Sequence, residues 1–138
     1  MSSEIELLRS DRFPDLTDKV DYAYATVVPA SAARTVFTAG ACPLDAEGAT
    51  VAPGDYAAQA EQVMRNLKAA LAGAGAALTD VVKSTVYVAS SDPADLVTAW
   101  DVVRAHFGEH DAPSTLLGVT VLGYADQLVE VEAVATVS

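Results

Sequence analysis

Apolar side chains recur with a period of two in some stretches of this chain and of three to four in others, and the switch between them lays out its elements. Tyr22–Val28 is rich in Tyr, Val and Thr and reads as a strand, as does Thr35–Ala39. The turn residues of Pro29–Ala33 lie between them, so the two are expected to form a hairpin. Glu4–Leu8 fits a short edge strand, Phe13–Val20 is polar and irregular, and Gly40–Gly54 reads as a loop carrying Pro43, Asp45, Gly48 and Pro53.

The period then changes. Over Asp55–Ala72, Ala60, Met64, Leu67 and Leu71 fall at steps of three or four and line one face of a helix, which Gly73 and Gly75 end. Leu78–Asp80 leads into Val81–Ala89, VVKSTVYVA, a strong strand signal. A second helix starts with Asp92 as N-cap and Pro93 in the first turn; Leu96, Trp100, Val103 and Phe107 share a face, and Gly108 closes it. Thr115–Leu122 and Leu128–Val137 are the last two strands.

The order β-β-β-α-β-α-β-β predicts an α+β fold in one domain over residues 1–138, a mixed sheet with both helices on one face. Such a sheet leaves its second face open. The Val and Ala of the last strands suggest burial on both sides, hence a further subunit.

Composition narrows the partners. The chain is 51% hydrophobic, which is globular rather than disordered, and its formal net charge of −11 argues against a nucleic-acid partner. Cys42 is the single cysteine, so an internal disulfide is excluded and a reducing, cytoplasmic setting fits. No apolar run approaches the ~20 residues of a membrane helix, and the charged start MSSEIELLRSDR lacks a signal-peptide core.

Several blocks, in order, resemble the Rid (RidA, YjgF) family over roughly Tyr22 to Val137. VFTAGACP is similar to a family strand ending Ser-Gly-Gln-x-Pro, with Gly40 and Pro43 matching. QAEQVMRNLKAAL, Gln59 to Leu71, is similar to its Gln…Asn-Leu…Leu helix; LTDVVKSTVYV, AHF and LVEVEAVA follow as in the family. The resemblance implies a chorismate-mutase-like, ferredoxin-like fold and a homotrimer with clefts between subunits. It also implies hydrolysis of imines or enamines such as 2-aminoacrylate, with no metal or organic cofactor.

By the same resemblance Glu130 is the glutamate that orients or activates water. Glu132 shares its strand face, and a structural reading remains open for both: a solvated face, or a pair neutralised by Lys83. The family's carboxylate-gripping arginine is replaced by Thr115, or by Ser114 if the turn slips by one residue; neither offers a charged fork. Tyr22 or Tyr24 matches the cleft tyrosine, Tyr22 the better, and Gly40 would let a ligand approach the backbone. Ala39 and Ala41 stand for Ser and Gln, Trp100 for Asn unless it belongs to the core, and Leu117 for Cys. All the changes remove polarity, which implies a small-molecule ligand less polar than an amino-acid imine.

His106 and His110 are four apart, but Gly108 between them argues against a metal pair, and Cys42 reads as a small buried residue rather than a nucleophile. Two functions stay open: an enzyme acting on an imine, enamine or related electrophile through Glu130, and a trimeric binding protein that has lost hydrolysis. Nuclease activity, a third idea, fits poorly with the acidic composition.

Overall fold

The computed structural model describes residues 5–138, so Glu4 of the expected first strand lies outside the described residues. The strands are β1 (Glu6–Leu8), β2 (Ala25–Val27), β3 (Arg34–Phe37), β4 (Val81–Ala89), β5 (Ser114–Val119) and β6 (Val129–Val137). The helices are α1 (Tyr56–Gly73) and α2 (Pro93–Phe107), with short 3-10 turns at Ser10–Arg12 and Leu78–Asp80. This is the α+β order expected from the periodicity.

The pairing differs from expectation at one point. β2 and β3 form no hairpin: β2 pairs antiparallel with β1, and β3 pairs antiparallel with β6. Pro29 lacks an N–H and disfavours continuation of the strand; its carbonyl instead accepts from Ala32 N at 3.1 Å, and this turn carries the chain to the other sheet. A two-stranded ribbon β1-β2 therefore stands apart from a four-stranded sheet in the order β3-β6-β4-β5. Thr26 ties the ribbon back, its hydroxyl donating to Val82 O at 2.9 Å. Within the sheet β4 and β5 run parallel, joined through α2, and the other pairs are antiparallel.

Both helices cover one face. Asp55 caps α1 rather than starting it, accepting from Ala58 N at 2.9 Å, and Asp92 does the same for α2 through Ala94 N at 3.0 Å. Gly73 is the last helical residue of α1. The stop itself falls at Gly75, whose φ of +81° lets Ala76 N return to Leu71 O at 2.8 Å. Ala60, Met64, Leu67 and Leu71 are buried as the spacing predicted, Val63 with them. Each of the larger ones contributes about 1.5–3 kcal/mol by leaving water. On α2, Ala99, Val103 and Phe107 form the buried stripe, while Leu96 and Trp100 are half-buried at its margin.

The sheet alternates accordingly. Val129, Val131, Ala133 and Ala135 of β6, with Val86 and Val88 of β4, are buried under the helices. The opposite face carries Lys83, Thr85, Tyr87, Glu130, Glu132 and Val134, all half-buried, and Phe37, 76% exposed. Among the described residues no helix covers this face.

Candidate functional site

The strand register builds the open face in rows. Across β5, β4 and β6, Leu117 stands beside Tyr87 and Tyr87 beside Glu130; one step along, Thr115 stands beside Thr85 and Thr85 beside Glu132. Directly opposed residues point to the same side of a sheet, so Thr115, Leu117 and Glu130 share one surface although they come from distant parts of the chain.

Glu130 is the most constrained of them. Its Oε1 accepts from the Cys42 thiol at 3.2 Å and from Gln127 Nε2 at 3.1 Å. Its other oxygen lies against Gly40: a Cβ on that residue would fall 2.4 Å from Oε2. Gly40 is required here for close approach, with the carboxylate occupying the space a side chain would need. Ala41 holds the segment in place by exchanging backbone hydrogen bonds with Val131, 2.7 and 3.2 Å.

Three amides support this arrangement. Asn66 on α1 donates to Cys42 O at 2.8 Å and Leu44 O at 3.0 Å, fixing the loop that carries the thiol. Fully buried Gln59 accepts from Leu128 N at 2.8 Å and donates to Asp126 O at 2.9 Å, fixing the entry to β6. Gln127, also buried, accepts from Tyr124 N at 3.1 Å with the oxygen of the amide whose nitrogen serves Glu130. Burial, and then the Glu130 carboxylate beside it, push the Cys42 thiol up to about 11. It therefore stays protonated and acts as a donor, not a nucleophile.

The other ionisable side chains of this face are settled differently from expectation. Glu132 is not neutralised by Lys83: Tyr87 OH donates to it at 2.7 Å, which raises the phenol's own pKa. The Lys83 ammonium donates to the Thr115 hydroxyl at 2.6 Å, and burial lowers the lysine's pKa.

Thr115 also opens onto a cavity of about 380 Å³ lined with Tyr22, Trp100, Asp111, Ser114 and Leu116. Tyr22, Trp100 and Thr115 thus converge, while Gly40, Ala41 and Glu130 cluster along β6, with Leu117 in the row of Glu130. Trp100 both packs against the core and lines the cavity. Tyr22 precedes β2 and is roughly half exposed; Tyr24 turns away, donating to Thr17 O at 2.7 Å. Sequence reasoning missed Gln127 and the Lys83–Thr115 contact. For Gln127 the signal was an amide three residues ahead of the glutamate at the mouth of an apolar strand.

His106 and His110 do not share a site. His106 bridges Glu61 Oε2 at 2.8 Å and Lys68 Nζ at 2.7 Å, whereas His110 lies on Val81 O at 2.8 Å. Among the described residues no group of three or more His, Cys, Asp or Glu side chains is placed to hold a metal ion, and no helix is long and apolar enough to cross a membrane.

Comparison with known proteins agrees with the fold. The family model described as Endoribonuclease L-PSP matches residues 19–137. A RutC family protein of Pyrococcus abyssi is 39% identical over 72% of this chain and 76% of its own length. The 2-iminobutanoate/2-iminopropanoate deaminase of Salmonella typhimurium is 36% identical over 72% of this chain and 77% of its own. The crystal structure of the conserved Rid-family protein YyfB of Yersinia pestis superposes with a TM-score of 0.83 at 29% identity, covering 96% of this chain and 98% of that one. With the matched span and the fold in agreement, the chain belongs to the Rid (RidA/YjgF, Endoribonuclease L-PSP) family.

Proposed function

We propose that this protein hydrolyses or isomerises an imine, enamine or related reactive small molecule in a cleft between copies of itself, with Glu130 handling the water or proton. The observation that carries the reading is the fixed carboxylate: Cys42 and Gln127 hold Oε1, and Oε2 lies over Gly40. A carboxylate held in one place by donors is what proton transfer to or from a bound water requires. In hydrolysis the water oxygen adds to the imine carbon while Glu130 takes one water proton and passes it to the nitrogen. Glu130 then takes the remaining O–H proton and delivers it to the nitrogen as the C–N bond breaks, which releases the amine and leaves a carbonyl.

The similarity to deaminases of 2-imino acids supports imine chemistry. The Thr115 hydroxyl, in place of a cation fork, favours a ligand without a carboxylate. The open sheet face, with Phe37 exposed beside Val134, supports assembly into a homotrimer that covers it. A single, protonated cysteine suits a reducing cytoplasm.

The test uses two substrates: a 2-imino acid generated in situ by an amino-acid oxidase, and an uncharged aldimine in equilibrium with its aldehyde and amine. The protein is expected to accelerate hydrolysis of the aldimine, with Glu130→Gln losing about 10²-fold or more. Hydrolysis of the 2-imino acid alone would overturn the ligand class.

A second reading, a ligand-binding trimer without turnover, draws on Ala41, Trp100 and Leu117, which bring no titratable group to the cleft. Saturable binding with neither substrate accelerated would favour it.

A further inference from the structure

The contact between Lys83 and Thr115 has a chemical direction. An ammonium can only donate, so the Thr115 oxygen accepts at 2.6 Å and the hydroxyl's own hydrogen is left for another acceptor. Among the described residues it has none, and Thr115 is exposed on the wall of the cavity of about 380 Å³. The adjacent cation polarises that O–H and strengthens it as a donor.

The surrounding charge decides what it suits. The charged side chains of the four strands are Arg34, Lys83, Glu130 and Glu132; Arg34 stands opposite Val137 on the helix-covered side, so the open face itself carries two negative groups against the one positive Lys83. Apart from Lys83, whose ammonium is engaged by Thr115, the cations of the adjoining pocket are committed: Arg104 lies 2.7 Å from Asp21, and Arg9 bridges Asp21 and Asp111. An incoming carboxylate would meet no guanidinium fork at Thr115 and, over the open face, one more negative group than positive, whereas a neutral acceptor meets one strong donor.

We propose that Lys83 and Thr115 act as one unit, a charge-backed hydroxyl that gives a single hydrogen bond to the carbonyl oxygen or imine nitrogen of an uncharged ligand. This deepens the preceding reading and rests on it in placing the ligand in this cleft. Recognition is at one point, so the ligand's remaining orientation comes from the rings of Tyr22 and Trp100 that share the cavity.

Trp100 is the chain's one tryptophan, so its fluorescence reports directly on this cavity. The full-length protein is titrated with pyruvamide and with pyruvate, a pair of nearly equal shape that differ in charge. Pyruvamide is expected to bind saturably and at least tenfold more tightly, a margin of about one good hydrogen bond. Thr115→Val should weaken pyruvamide roughly tenfold, Thr115→Ser less than about threefold, and Lys83→Met severalfold. Thr115→Ser keeps the test interpretable if the valine variant folds poorly.

Equal or tighter binding of pyruvate would overturn the proposal, as would an unchanged affinity in Thr115→Val or no response to either compound up to about 100 mM. The same titration on Glu130→Gln separates the two claims. Wild-type affinity for pyruvamide with no imine turnover by the native protein would leave the recognition unit standing and remove the catalytic reading.

Discussion

Cys42 and Glu130, 88 residues apart in the chain, meet through a thiol–carboxylate hydrogen bond of 3.2 Å. The protein's one cysteine is thereby part of the apparatus that aims its candidate catalytic group. Because burial and the carboxylate raise the thiol from 9.0 to about 11, the folded state holds that proton more tightly than the unfolded chain does. Its contribution to stability is present below pH 9 and is lost as the pH rises through about 11. Alkylation by iodoacetamide should accordingly be slow at pH 8 in the native protein and become fast in urea. Equally fast labelling in both states would refute the buried, protonated thiol.

Gly40→Ala should damage the site without entering the helix-covered core. The new methyl would fall 2.4 Å from Glu130 Oε2, so the carboxylate or the Ala39–Cys42 segment has to move. Overpacking of this kind costs about 1–3 kcal/mol. Thermal unfolding measures that cost, and imine turnover should fall along with it. An alanine variant of native stability and activity would show that Glu130 is free to sit elsewhere.

Gln59→Leu keeps the side chain's bulk but removes the partner of Leu128 N and Asp126 O. The orphaned buried amide should cost about 1–3 kcal/mol. In urea the midpoint should drop at an unchanged slope, the mark of lost stability rather than a changed unfolded state.

Phe37→Asp addresses the open face. With this ring 76% exposed in the single chain, a charge here should leave the fold intact. If copies pack on this face, sedimentation should show the mass falling from trimer to monomer, with loss of imine turnover because the cleft comes apart. A variant that remains fully assembled would place the interface elsewhere.

How far the sequence revealed this protein depends on the range of the interactions. Both helices, the Asp92 cap of α2 and the buried stripe of α1 were readable because helical periodicity and capping are local, although Asp55 was read as the start of α1 rather than its cap. The partners of β3 were not. Its short run of Arg34–Phe37 carries no mark that it pairs with Val134–Val137, and the nearer β2 was the natural guess. The site divides in the same way. Glu130, Gly40, Tyr22 and Thr115 were nameable from motif positions, whereas the donors to Glu130 required the fold. Cys42 looked like a small buried residue, and it is partly that. Lys83 looked like a counter-ion for the glutamates, but the register sets its ammonium against a hydroxyl on the other neighbouring strand.

The placement of β5 at the sheet's edge has a consequence for how this protein changes under mutation. Thr115 and Leu117 belong to β5, bonded within the sheet to β4 alone, whereas Glu130 is held from α1's side through the loops that Gln59 and Asn66 fasten. In the proposed reading, ligand choice and proton handling are therefore mounted on separate supports. A library confined to Thr115 and Leu117 can be screened for new ligands with the carboxylate assembly left intact, so that in this reading the scaffold's specificity is retunable on one strand.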